Sequence, residues 1–148
     1  IEPGHHFEWV WLLHQANRLF PNKSYLLHAQ ALWDKACYQG FDPKGGIYNQ
    51  VHATSAKVLD AEKRIWPATE YLKALCIHQT DPEQVSQGLH TMLSFLFDTY
   101  FKQDGAWNEY LDADNIPKPH PLPGTSSYHI FLGIIEVLKW YNSYGRDS

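Results

Sequence analysis

The chain has 148 residues, a length that suits one domain. Its formal net charge is −4, and the 12 basic residues are scattered rather than clustered, which argues against a nucleic-acid partner. Apolar stretches are short and broken by charge, which argues against a membrane span, and no secretory leader is recognisable.

Taken in chain order, the first segment is Pro3-Gly4-His5-His6-Phe7-Glu8-Trp9-Val10-Trp11-Leu12-Leu13. Its period predicts a helix over 5–20, and residues three apart share a helix face, so His5 and Glu8 can aim at one point. Ser24 is expected to cap a second helix that runs to about Gln39 and stops at Gly40. Residues 41–51 read as a turn and a short strand or hairpin. A third helix is predicted over 61–79, with Pro67 in its first turn. Asp81 caps a fourth over 82–102, with Pro82 at its first position. A second hairpin over 103–112 and a Pro-rich loop from Ile116 to Pro123 lead to a last helix, capped by Ser126 and ending near Tyr141.

The elements repeat. Gly46-Ile47-Tyr48-Asn49-Gln50 and Gly105-Ala106-Trp107-Asn108-Glu109 share a pattern 59 residues apart, and each follows a helix pair. Units of this kind bury their faces against neighbours. The chain opens at Ile1, without Met, inside what reads as a functional turn. Both points lead to the expectation that it is a piece of a helical toroid whose remainder lies elsewhere.

The same periodicity organises the polar residues. His5, Trp66 and His129 stand near the starts of alternate helices, and Glu8 and Glu70 are related by a similar offset. If those helices line a ring, the residues converge on one mouth. Two histidines on opposite sides of a substrate can remove and return a proton. Glu8 can orient His5 or hold a hydroxyl; the plain alternative is a first-turn carboxylate that complements the helix dipole. Trp66 with Glu70 suits a sugar, the ring on its apolar face and the carboxylate on hydroxyls; the alternative is a core Trp beside a solvated Glu. Trp107 and Tyr48 take equivalent places and either rim a cleft or pack the hairpins. Thr125-Ser126-Ser127 either cap a helix or hold an anion. Aromatic content of 15%, with six Trp, suits a sugar cleft and a large helical core alike. Cys37 and Cys76 read as buried thiols in a reducing compartment, the cytoplasm. No HExxH, CxxC, GxSxG or phosphate-binding Gly-rich loop is present, so neither metal nor cofactor is expected.

Four motifs together resemble the N-acylglucosamine 2-epimerase family, which includes mannose isomerases, cellobiose 2-epimerases and sulfoquinovose isomerase-like enzymes. They are Pro-Gly-His-x-x-Glu-Trp-x-Trp-Leu-Leu at 3–13, Lys-x-x-Trp-x-x-x-Glu at 63–70, Gly-x-Trp at 105–107 and Tyr-His-Ile at 128–130. The resemblance implies an all-α fold: part of an (α/α)6 barrel with short β-hairpins between helix pairs. Residues 1–148 would be its C-terminal portion, with the N-terminal helices of the same barrel as missing partner and a homodimer left open. It implies a sugar isomerase or 2-epimerase without a metal, in which His5 and His129 move a proton at C2 through an enediol. Glu8, Trp66, Glu70 and Trp107 would contact the sugar or orient a histidine. Gly124-Thr125-Ser126-Ser127-Tyr128-His129 looks closer to mannose isomerases, whereas Ile65 departs from the second Trp of cellobiose epimerase-like members. The family's N-terminal arginine and further histidine are not in this chain. Two other readings stand beside this one. A glycoside hydrolase would use Glu8 and Glu70 as its carboxylates. A non-catalytic sugar-binding helical module would use the aromatics alone.

Overall fold

The computed structural model describes residues 1–144. Five helices carry the fold: α1 (Pro3–Leu19), α2 (Lys23–Gln39), α3 (Ile65–His78), α4 (Pro82–Thr99) and α5 (Gly124–Tyr144). Between α2 and α3 lie β1 (Gln50–Val51), β2 (Val58–Asp60) and β3 (Lys63–Arg64), and between α4 and α5 lie β4 (Tyr110–Leu111) and β5 (Pro117–Lys118). β1 and β2 form an antiparallel hairpin, and β3-β4-β5 a small antiparallel sheet.

Local chemistry sets most boundaries. Pro3 and Pro82 open α1 and α4, where the amide that proline lacks would have no helical partner. Asp81 caps α4 by accepting from the Glu83 amide. Two expected caps are displaced. Asn22, not Ser24, caps α2, its side chain accepting from the Ser24 amide at 3.0 Å. Ser126 sits inside α5, which begins at Gly124. The third helix starts at Ile65 rather than 61, because Lys63 and Arg64 pair with Leu111 and Tyr110 as a strand.

The helices form two layers. α1 packs on α2 and α3, and α3 packs on α4 and α5. α3 is therefore the central helix, and its residues are buried without a break from Ile65 to Glu70. Phe7, Trp33, Phe41 and Tyr71 make an aromatic cluster among α1, α2 and α3, with tilted and edge-on ring contacts. Leu72, Leu75, Leu89, Met92 and Leu96 continue this core towards α4.

The repeat is real in its hydrogen bonds, and its register is 60 rather than 59. Phe41 bridges Ile47 and Phe101 bridges Trp107. Tyr48 donates its amide to Gly40, as Asn108 does to Tyr100. Trp107 is thus the counterpart of Ile47, not of Tyr48. The shared Gly and aromatic letters had aligned the two turns one residue out.

Cys37 and Cys76 are half-buried free thiols, which burial pushes up to about 12. No helix among the described residues is long and apolar enough to cross a membrane.

The far ends of α1 and α3 are joined by a polar contact that the sequence did not announce. His14 Nε2 lies 2.9 Å from His78 Nδ1, and Trp33 packs on His78. Burial lowers both histidines below the ordinary 6.5, and for His78 the nearby His14 adds to this while Asp34 opposes it. The unfolded chain then takes up protons that the folded chain resists. Stability contributed here is full above about pH 6.5 and is lost as the pH falls through the lower folded-state values. Denaturant unfolding followed from about pH 8 to about pH 5 should show this loss, and a His14→Gln/His78→Gln variant should show a shallower one. Equal pH dependence in both proteins would remove the pair as its source.

Candidate active site

One groove collects the residues of interest. Glu2, His5, Glu8, Arg64, Trp66, Thr125, Ser126, Tyr128 and His129 line a space of about 250 Å³. It lies where the N-terminal turns of α1, α3 and α5 meet, because those three helices pack side by side with α3 in the middle. The groove thus takes one first turn from each of them.

Trp66 is the spacer of the site. It is largely buried, and both histidines pack on it: its ring centroid is 4.8 Å from His5 and 5.4 Å from His129. Small residues make this approach possible. A Cβ at Gly4 would stand 2.7 Å from the Trp66 ring and 2.8 Å from Pro67 Cβ. On the other side, a Cβ at Gly133, one turn beyond His129, would stand 3.0 Å from Thr69.

The two histidines have different surroundings. His129 is buried, and its Nδ1 lies 2.5 Å from Glu70 Oε1. Glu70 is 0% exposed, and its other oxygen lies 2.8 Å from Lys73 Nζ. A carboxylate facing an ammonium accepts, so Nδ1 carries the proton donated to Glu70. His5 is more than half exposed, with Nδ1 3.0 Å from Glu8 and Nε2 3.3 Å from Glu2. The Tyr128 ring lies tilted against His129, 4.0 Å between centroids, and burial raises its hydroxyl, helped by Glu8 and Glu70.

Two expected contacts are placed elsewhere. Glu70 does not line the groove; it reaches the site only through His129. Trp107 lines a neighbouring cleft of about 400 Å³ with Lys102, Asn108 and His120, and its Nε1 donates to Glu109 Oε2 at 3.3 Å. Thr125 and Ser126 do line the groove, but the Ser126 hydroxyl is spent on Glu109 Oε1 at 2.9 Å and the Ser127 hydroxyl on the Gly124 carbonyl. Sequence reasoning missed Glu2, Arg64, Lys73 and Glu109. Arg64 could have been found from strand alternation, since its neighbour Lys63 points the other way, into the core. Among the described residues, no group of three or more His, Cys, Asp or Glu gathers to hold a metal ion.

The family model for N-acylglucosamine 2-epimerase matches residues 1–133. The chain belongs to that family. It is 29% identical over 144 residues to D-mannose isomerase of Marinomonas mediterranea, and 26% identical over 143 residues to mannose-6-phosphate isomerase of Rhizobium meliloti. These alignments cover 94% and 93% of the chain but only 36% and 37% of the relatives' lengths. A crystal structure of D-mannose isomerase superposes with a TM-score of 0.84 at 29% identity, over 94% of this chain and 37% of that one. Cellobiose 2-epimerase from Spirochaeta thermophila superposes at 0.81 with 20% identity, over 95% of this chain and 39% of that one, a likeness of fold. The helix pairs of this family member are therefore part of an (α/α)6 barrel.

A methyl group at position 4 tests the spacing directly. Gly4→Ala should cost about 1–3 kcal/mol through overpacking. It should also move the His5 ring-proton NMR resonances, as the ring is pushed off the indole. A variant of unchanged stability and unchanged His5 resonances would contradict the close approach.

Proposed function

We propose that the protein is a sugar isomerase or 2-epimerase that moves a proton at C2 of an aldose, of the mannose or N-acylhexosamine type. In this reading residues 1–148 are the C-terminal portion of a single barrel domain. The observation that carries it is the placement of His5 and His129 on one groove with Trp66 packed against both. Family membership and the names of the relatives support the reaction class.

His129 suits the base. Glu70 holds its Nδ1 proton, which points the ring and leaves Nε2 to take the C2 proton. The electrons left at C2 form the C1–C2 double bond of an enediol as the C1 carbonyl oxygen accepts a proton. His5, between Glu2 and Glu8, suits the acid. Return of a proton to C1, with loss of the O2 proton, gives a ketose from the aldose. Return to C2 on the opposite face, with loss of the O1 proton, gives the epimer. Exposed apolar side chains at both flanks of the array fit the incomplete barrel: Trp9 and Leu12 on α1, and Phe131, Leu138 and Tyr141 on α5. The remaining helices of the barrel would cover them and close the groove.

A hydrolase built on Glu8 and Glu70 is not favoured. Glu70 lies behind His129, outside the groove and paired with Lys73, so it cannot flank a glycosidic bond. A purely binding module would leave the Glu70–His129 pair without a task.

The test uses the protein expressed from its complete gene. Mannose, glucose and N-acetylglucosamine are incubated in heavy water, and the C2 proton is followed by NMR. Exchange is expected with at least one sugar, falling by roughly a hundredfold or more in His129→Asn. Exchange undiminished in that variant would refute the role given to His129, and release of reducing sugar from a glycoside would favour the hydrolase.

A further inference from the structure

A second polar assembly meets the groove from behind. Glu109 is a carboxylate 1% exposed, set just before β4. Its Oε1 accepts from Arg64 at 3.2 Å and from the Ser126 hydroxyl at 2.9 Å, and its Oε2 accepts from the Trp107 indole. Its backbone carbonyl accepts the amide of Ile65, the first residue of α3. One carboxylate therefore ties β3, the first turn of α5 and the second repeat turn together.

Arg64 is the member that faces the sugar. Its side chain is 28% exposed and lines the groove, with Trp66 at 5.9 Å and Tyr110 at 5.2 Å on its guanidinium. A guanidinium has five N–H donors in a planar fork. Glu109 takes a bond from one terminal nitrogen, and the Nε hydrogen is buried with no protein acceptor. The other terminal N–H groups have no protein acceptor among the described residues, and they are left over at the edge of a groove that Glu2 and Glu8 line as acceptors. The charge of Arg64 is already matched by Glu109, whereas among the described residues no lysine or further arginine lines the groove, and the only ion-pair partner of Glu2 and Glu8 is His5. Such a surface offers hydrogen bonds without an excess of positive charge.

Resting on the isomerase reading above, we propose that Arg64 is a substrate-binding residue that donates to hydroxyl or carbonyl oxygens of an uncharged sugar, and that Glu109 is the positioning residue that aims it. Neither residue carries out the proton transfer. The guanidinium is fixed before the sugar arrives, so little side-chain freedom is lost on binding. Among the groove residues that this chain supplies, a phosphorylated sugar meets Glu2 and Glu8 with only His5 set between them.

The experiment uses the protein from its complete gene, with D-mannose and D-mannose 6-phosphate as probes and C2 proton exchange as readout. Arg64→Gly should lower kcat/KM for mannose by roughly tenfold to a hundredfold, mainly through KM. Added guanidinium ion should restore part of this loss in Arg64→Gly, and should fail in the Arg64→Gly/Glu109→Gln double variant. That difference reports aiming by Glu109 rather than folding. Should Arg64→Gly fold poorly, Arg64→Lys, which keeps the ion pair but not the fork, should still raise KM. Wild-type exchange accompanied by unchanged KM in both Arg64 variants would overturn the proposal, as would a lower KM for the phosphorylated sugar. Absence of exchange in the wild type with mannose and with the other sugars above would instead overturn the isomerase reading itself.

Discussion

The buried carboxylate of Glu70 is the constraint on which the rest of the site depends. It sits in the middle of the most buried helix, between Lys73 on its own helix and His129 on α5. Removing one partner of such an arrangement leaves a buried charge unmatched and costs about 3–5 kcal/mol. α3 is covered by α1, α4 and α5 together, which keeps water from the carboxylate. Glu70 therefore has one workable arrangement, and that arrangement fixes the ring of His129. Gly133 lets α5 come close enough to Thr69 for the contact to be made.

The two residues of β3 extend the same logic outward. Lys63 turns into the core and meets Asp42 of the first repeat turn at 2.8 Å. Burial pushes the Asp42 carboxyl up, but hydrogen bonds from Lys63, the Lys44 amide and the Tyr48 hydroxyl outweigh it and hold the group below its ordinary range. Arg64 turns the other way and meets Glu109 of the second repeat turn. Adjacent strand residues point to opposite faces, so a two-residue strand is enough to pin both turns to the start of α3. The repeat thus positions the site as well as stacking the helices. Each turn supplies one buried carboxylate, and β3 supplies both cations.

Much of this could be read from the sequence, for identifiable reasons. The helices followed from period, proline at first positions and the Asp81 cap, all of which are local. His5, Glu8, Trp66 and His129 were brought forward by their common place at alternate helix starts, and the structure sets them around one groove. What was hidden depends on partners far apart in the chain. Glu70 could be read as a sugar contact or as an orienter, and only burial distinguishes these. Trp107 was displaced by one residue of register, which composition cannot resolve when Gly and aromatic letters recur nearby. Glu109 and Arg64 are 45 residues apart, and nothing local marks either as paired. Lys63 reads equally well as a surface lysine until its neighbours are known.

In the proposed reaction Glu70 presets His129 as a base by holding the proton on Nδ1. The tautomer of that ring tests it most directly. Nitrogen-15 NMR of the protein with labelled histidine, at a pH well above the ordinary histidine range, separates protonated from bare ring nitrogens. The His129 ring is expected to carry its proton on Nδ1 and a lone pair on Nε2, a pattern that Glu70→Gln weakens or abolishes. A His129 ring protonated on Nε2 and bare at Nδ1 would contradict it.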